Sequence, residues 1–188
     1  VTSLEFERIL SASGPFAGHL IRPSDHKEPK KIAWLQCVGS RDVKYNPYCS
    51  SVCCMYAIKQ AVIAKEHAKT YELEASIFFM DMRTMGKDFE KYYWRAEDEH
   101  GIRFVRSRIH TIDRVPGSDD VSIRYIAEDG TIKEEVFDMV VLSVGLEASK
   151  DALKLAETLG VEVVPETRFA KSSPFTPVST NKDGVYIC

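Results

Sequence analysis

Four of the five cysteines fall within eighteen residues, and this cluster constrains the chain more than any other feature. They are Cys37, Cys49, Cys53 and Cys54, at the spacing C-x11-C-x3-C-C. A short apolar run over residues 32–36 leads into the first of them and is followed by Val-Gly-Ser. An apolar run closed by glycine and serine is typical of a buried strand and its following loop. Cys37 is therefore predicted at the carboxyl end of a strand.

The other three cysteines come at the start of a helical pattern. Apolar residues recur at helical spacing over residues 50–67, with Asn46, Ser50 or Ser51 as the predicted N-cap. Sheets of α/β proteins bind ligands beyond the carboxyl ends of their strands, where the next helix N-terminus points at the ligand. The loop here has one glycine, Gly39, instead of G-x-G-x-x-G. We therefore predict no NAD(P)H binding at this loop, and thiolates in the place of a phosphate.

The cysteine spacing restricts the chemistry. On one helix Cys49 and Cys53 would share a face, and Cys54 would point about 100° away. Adjacent cysteines do not readily grip one tetrahedral zinc ion, whereas a larger cluster held by four thiolates tolerates their divergence. The pattern favours a 4Fe–4S cluster on Cys37, Cys49, Cys53 and Cys54. Zinc, a redox dithiol and buried cysteines acting as small hydrophobic residues remain open.

Composition excludes several classes of protein. The chain of 188 residues, 44% hydrophobic and 28% charged, is large enough for one core. A net charge of −3 offers no basic surface for nucleic acid. No apolar run reaches about 18 residues, so no membrane span is predicted, and no signal peptide is visible. Clustered cysteines, odd in number, are unlike a secreted disulfide framework, so we expect a cytoplasmic setting.

The rest of the pattern alternates between helices and strands. The predicted elements are a helix in residues 1–14 capped at Thr2-Ser3, a loop over 13–30, strands at 75–80 and 102–105, a helix at 88–99, three antiparallel strands in 109–137 with turns at Pro116-Gly117 and Asp129-Gly130, a buried strand at 137–146, a helix at 148–159, and a short strand at 185–187. In the second helix, Phe89, Tyr92, Tyr93 and Ala96 are predicted to face the sheet. Asp81 is expected to pair with Arg83, and Cys188 is assigned no ligand role.

Four segments resemble the A subunit of heterodisulfide reductase and its relatives. They are TSLEFERILSASGP at residues 2–15, KIAWLQCVGSRD at 31–42, YCSSVCCMYAIKQA at 48–61 and VVLSVGL at 140–146. The match runs in order through essentially the whole chain, and the two cysteine-containing strings are highly specific.

The resemblance implies a thioredoxin-reductase-like flavoprotein that carries FAD and iron–sulfur clusters. By the same resemblance, the four clustered cysteines ligate one 4Fe–4S cluster, and Ser143 and Gly145 form a flavin-side contact in the intact protein. The implied partners are other subunits of a heterodisulfide-reductase-like complex and an electron donor such as hydrogenase, formate dehydrogenase or ferredoxin. Some members take part in flavin-based electron bifurcation.

The chain also departs from that family. Its members are far longer, and this sequence has neither the glycine-rich FAD fingerprint nor the ferredoxin-type C-x2-C-x2-C-x3-C runs. We therefore expect an excised piece that does not hold FAD firmly and is inactive alone.

The expected fold is a three-layer, Rossmann-like α/β domain, similar to the NAD(P) domain of pyridine nucleotide-disulfide oxidoreductases, with an antiparallel β-meander. Residues 1–30 are expected to be a crossover segment and linker, and residues 31–188 a single domain. The predicted function is electron transfer between FAD and partner subunits through the cluster. No residue is predicted as a general acid, base or nucleophile, because the cofactor supplies the chemistry. The alternatives are a thiol/disulfide oxidoreductase using Cys49, Cys53 or Cys54, and a structural metal-binding module.

Overall fold

The computed structural model describes residues 1–187, which fall into two compact units. Unit 1 comprises Val1–Val38 and Ser51–Val144, and unit 2 comprises Gly39–Ser50 and the residues from Gly145 onward. The elements are α1 (Ser3–Leu10), β1 (Lys31–Val38), α2 (Cys53–His67), β2 (Glu74–Phe79), α3 (Phe89–Asp98), β3 (Arg103–Arg106), β4 (Ile112–Arg114), β5 (Val121–Ile126), β6 (Ile132–Phe137), β7 (Met139–Val144) and α4 (Lys150–Leu159). The units do not divide at residue 30, because residues 1–30 pack within unit 1.

Unit 1 is built on a parallel sheet with the strand order β3-β2-β1-β7. Along β1 the side chains alternate: Ile32 and Trp34 join one core cluster with α1 and α2, while Ala33 and Leu35 join a second cluster. That second cluster lies against the antiparallel sheet β4-β5-β6. A strand covered on both faces reads as a continuous apolar run. The predicted three-layer architecture and the meander are both confirmed.

The first helix completes the core of unit 1. Thr2 caps α1 in a capping box with Glu5, as the sequence predicts. Phe6, Ile9 and Leu10 on its inner face are buried in the cluster that contains Trp34. The amino-terminal segment is therefore part of the sheet's helical layer.

Two details of the predicted pattern need correction. In α3, Ala96 is buried and Tyr92 and Tyr93 pack against the core as predicted, but Phe89 is 44% exposed because it occupies the first turn. The strand predicted at residues 185–187 is wrong, since Tyr186 forms an isolated bridge with Ser179. The expected ion pair between Arg83 and Asp81 is confirmed at 2.9 Å.

Unit 2 contains α4 and two loop segments. Ser149 caps α4 by accepting a hydrogen bond from the Ala152 amide at 3.1 Å, and Gly160 ends the helix at a φ of 66°. The prediction for Cys188 lies outside the described residues. Over residues 1–187, no helix combines the length and apolar character needed to cross a bilayer.

A charged cluster joins the meander of unit 1 to the parallel sheet. The guanidinium of Arg103 donates two hydrogen bonds to the carboxylate of Glu135, at 2.9 and 2.8 Å, and Lys31 Nζ lies 3.1 Å from it. The Tyr125 hydroxyl donates a further, short hydrogen bond. Burial alone would raise the pKa of the Glu135 carboxyl, but these hydrogen bonds outweigh it and lower the pKa to about 2.

The stability of unit 1 is therefore expected to depend on pH through Glu135. A carboxyl whose pKa is lower in the folded state stabilises the fold above its unfolded pKa of about 4.3, and this stabilisation is lost as the pH falls towards 2. We expect Glu135→Gln to reduce the free energy of unfolding by about 2 kcal/mol at pH 7, after allowance for solvent screening, and by about half of that at pH 3.

Urea unfolding at the two pH values measures this difference. Glu134→Gln is the matched control, because its side chain is 56% exposed and pairs with Arg124 at 3.4 Å, so little change is expected. A cost for Glu135→Gln that is the same at both pH values would show that the cluster does not sense pH.

Candidate functional site

Cys37 lies at the carboxyl end of β1, as predicted, in an unusual backbone conformation. Its φ is 61°, in the left-handed region that residues other than glycine rarely adopt. The pairing of β1 with β7 shifts register between Leu35 and Val38, so that Gln36 and Cys37 together oppose Ser143. An extra residue of this kind redirects a side chain at the end of a strand, and such distortions concentrate at functional sites.

Helix α2 begins at Cys53, so the predicted start at residue 50 and all three predicted N-caps are wrong. Val52 occupies the cap position, and within residues 1–187 no side chain caps the helix. The Ser50 hydroxyl accepts a hydrogen bond from the Leu146 amide at 2.8 Å, and Asn46 donates one to Glu147 at 2.8 Å. These contacts within unit 2 replace the predicted capping interactions.

Cys49 consequently lies outside the helix, in a segment without regular secondary structure. The prediction that Cys49 and Cys53 share a helical face is therefore wrong. Cys49 belongs to unit 2, and the other three clustered cysteines belong to unit 1.

The first turn of α2 is attached to the carboxyl end of β7. Cys53 and Cys54 are both buried, and the Cys53 thiol lies 3.8 Å from the carbonyl oxygen of Val144. The Tyr56 hydroxyl donates a hydrogen bond to the same oxygen at 3.1 Å. Burial, together with a hydrogen bond involving Cys53, raises the pKa of Tyr56 well above its usual value. Two thiols and a phenol thus meet the end of the sheet at one place.

The electrostatics of α2 favour negative charge at this end. Its first turn, Cys53-Cys54-Met55-Tyr56, carries no carboxylate, and Lys65 and His67 lie in its last turn. The helix dipole places partial positive charge at the N-terminus, which stabilises thiolates there.

A buried polar pair lies on the strands next to these cysteines. Gln36 is 9% exposed, and its amide nitrogen donates a hydrogen bond to the Ser143 hydroxyl, which is fully buried, at 3.0 Å. The amide oxygen of Gln36 is buried without a hydrogen-bond partner among residues 1–187. Sequence analysis missed Gln36, although a single amide in an apolar strand directly before a cysteine was a usable signal.

Gly145 has a packing role within unit 2. A side-chain carbon at this position would lie 2.9 Å from the Ser40 β-carbon and 3.4 Å from the Ser50 hydroxyl. The loop of residues 39–50 therefore requires glycine here. The flavin-side contact expected at Ser143 and Gly145 stays a prediction.

The clustered cysteines do not converge on a single point. Among residues 1–187, no three histidine, cysteine or carboxylate side chains are grouped so as to hold one metal ion. A tetrahedral zinc ion requires such a point. A 4Fe–4S cluster does not, because each thiolate binds a different iron. The donor set, four sulfur atoms with two of them buried at a helix N-terminus, fits the cluster better than it fits zinc.

Comparison with known sequences identifies related proteins. Over its whole length the chain is 47% identical to the A subunit of the H(2)/formate:CoB-CoM heterodisulfide,ferredoxin reductase of Methanococcus maripaludis. It is 43% identical to the iron-sulfur A subunit of the CoB-CoM heterodisulfide reductase of Methanocaldococcus jannaschii. The chain spans 29% of the length of each. The resemblance carried by the cysteine segments is confirmed.

The fold also matches a solved structure. The crystal structure of Lactococcus lactis thioredoxin reductase covers 84% of this chain with a TM-score of 0.50 at 16% identity, and the match spans 43% of that protein. The family described as pyridine nucleotide-disulphide oxidoreductase matches residues 49–188. The chain therefore belongs to the pyridine nucleotide-disulphide oxidoreductase family.

Proposed function

We propose that this chain is the electron-transfer domain of a heterodisulfide-reductase-A-like iron–sulfur flavoprotein, passing electrons through a 4Fe–4S cluster between FAD and partner subunits. One observation carries the proposal. The buried pair Cys53-Cys54 opens α2 at the carboxyl ends of β1 and β7, where related α/β sheets hold their ligands.

The proposed cluster ligands are Cys37, Cys49, Cys53 and Cys54. Such a cluster, when bound, takes up and releases single electrons. The chain's own contribution is electrostatic and steric: the N-terminus of α2 stabilises thiolate charge, and burial of Cys53 and Cys54 keeps water from their sulfur atoms. The left-handed conformation of Cys37 is a backbone cost of the kind that persists where function requires it.

FAD is the second proposed cofactor, in the longer protein. Membership of a flavin-containing oxidoreductase family supports it, and FAD when bound exchanges electrons with reducing substrates or clusters. Ser143 and Gly145 remain the proposed contacts on the flavin side. Because Ser143 is fully buried and bonded to Gln36, we expect its contribution to be structural, through the strand backbone.

Partners are proposed from the names of the relatives. Those names link hydrogen or formate, a heterodisulfide and ferredoxin to one protein of a larger reductase. We place the chain in a multi-subunit complex of that type, with hydrogenase, formate dehydrogenase or ferredoxin as the electron donor. The heterodisulfide reductase activity of the whole complex is part of the same proposal, because the chain spans 29% of the relatives' length.

Anaerobic reconstitution of the chain with iron and sulfide tests the cluster. We expect about four iron and four sulfide per chain and a broad absorption band near 400 nm that bleaches with dithionite. Colourless protein after reconstitution would refute the cluster. If the number of titratable thiols then rose by two on reduction, the thiol/disulfide oxidoreductase would replace it. Bound iron that does not respond to dithionite would indicate a structural metal module.

A further inference from the structure

The buried amide of Gln36 has one end without a hydrogen-bond partner. Its nitrogen donates to the Ser143 hydroxyl at 3.0 Å, while its oxygen, enclosed by protein, finds no partner in the part of the chain that the structure describes. Buried polar atoms in folded proteins are nearly always paired, because an unpaired one retains the full cost of its desolvation. The unpaired oxygen therefore indicates that something further binds at this place.

The pair lies on the side of the sheet that α2 covers. Side chains two apart on a strand share a face, and Val141, two residues before Ser143, belongs to the core cluster that contains α2. The next residue, Val144, offers the carbonyl oxygen that Cys53 and Tyr56 approach. Gln36 and Ser143 are thus at the level of the cysteine-containing first turn.

The register shift brings the amide closer still to the cysteines. Gln36 and Cys37 together oppose the single residue Ser143, so the amide and one proposed cluster ligand share the same irregular step of β1. All of these contacts lie within unit 1.

We propose that Gln36 is a positioning residue for the cluster: its side-chain nitrogen donates a hydrogen bond to a cysteinyl or inorganic sulfur, and its oxygen accepts from the Ser143 hydroxyl. This inference rests on the proposed function. A half-turn of the amide exchanges its nitrogen and oxygen, and a serine hydroxyl both donates and accepts. In the turned orientation both ends of the amide are paired, provided that a negatively charged acceptor occupies the orphaned side. Sulfur of a thiolate or a cluster is such an acceptor.

The consequence is a higher reduction potential. A hydrogen bond to sulfur stabilises the reduced cluster, which carries more negative charge, and hydrogen bonds to sulfur are among the factors that set cluster potentials. Removal of the amide should lower the potential and leave the ligands in place.

Redox titration of the reconstituted full chain tests the proposal. Gln36→Met keeps the length of the side chain and removes both polar ends. At a fixed potential we expect it to change the ratio of oxidised to reduced cluster by about three- to tenfold towards the oxidised form, a tenfold change being about 59 mV for one electron. Its iron content should equal that of the unmodified chain. Ser143→Ala should shift the potential in the same direction by less.

The control is Ser122→Ala, which removes a buried serine hydroxyl from β5, where it donates to Glu134 at 2.8 Å. Its potential should be unchanged. Full iron loading of Gln36→Met at an unchanged potential would overturn the inference while the proposed function stood. An unmodified chain that binds no iron would remove both. If Gln36→Met loses iron, Ser143→Ala decides, since a shifted potential supports the inference and an unshifted one overturns it.

Discussion

Replacement of Cys53 by serine is expected to reduce the iron content of the reconstituted chain from about four atoms to near zero. Cys53 is buried in the first turn of α2, with its thiol 3.8 Å from the Val144 carbonyl oxygen. A serine hydroxyl is close in size, so the helix should form as before. The hydroxyl remains protonated at neutral pH and is a poor ligand for iron compared with a thiolate.

The matched control is Cys188→Ser, which removes the fifth cysteine, outside the C-x11-C-x3-C-C spacing. We expect it to keep the full iron content and the absorption band that dithionite bleaches. Iron and sulfide assays give the comparison, and far-UV circular dichroism shows that both variants are folded. Equal iron in Cys53→Ser and in the unmodified chain would remove Cys53 from the ligand set.

The layers of unit 1 were predictable because their signals are local. The apolar runs that form β1 and β7 are buried on both faces, so each strand reads as a continuous hydrophobic segment. The meander was marked by Pro116-Gly117 and Asp129-Gly130, which fall between β4 and β5 and between β5 and β6. Each of these signals depends on the nearest few residues.

The start of α2 was not predictable in the same way. Ser50 and Asn46 have the side chains of good N-caps, but they bind Leu146 and Glu147, which are 96 and 101 residues away in sequence. Tertiary contacts of this kind override a local preference. The same limitation concealed the pairing of Gln36 with Ser143, which are 107 residues apart.

The segment that carries the cysteines differs in backbone chemistry from a dinucleotide-binding loop. Cys37, Arg41 and Ser51 adopt positive φ angles of 61°, 54° and 63°, conformations that glycine adopts at little cost. A non-glycine residue in this region costs about 1–2 kcal/mol. The missing glycine fingerprint therefore predicts only what the loop does not bind, while the strain at three side-chain-bearing residues requires the structure to be seen.

Replacement of Trp34 by alanine is expected to have the largest effect on stability, lowering the free energy of unfolding by about 4 kcal/mol. Trp34 is fully buried, and its ring meets Phe6 of α1 edge to face at 5.3 Å. Its indole nitrogen donates to the Gln60 side-chain oxygen on α2 at 3.3 Å. The variant leaves both a cavity and an unpaired buried amide oxygen, whose costs add.

Trp94→Ala is the matched control, because Trp94 is 53% exposed and its removal should change the free energy of unfolding by less than about 0.5 kcal/mol. Urea unfolding followed by far-UV circular dichroism measures both variants without relying on tryptophan fluorescence. If Trp34→Ala does not fold, Trp34→Phe, which fills most of the cavity but cannot donate to Gln60, should cost about 1–2 kcal/mol. A loss for Trp34→Phe no larger than that for Trp94→Ala would show that α1, β1 and α2 are not joined through this indole. With that junction weakened, the first turn of α2 would lose the support that sets the position of Cys53 and Cys54.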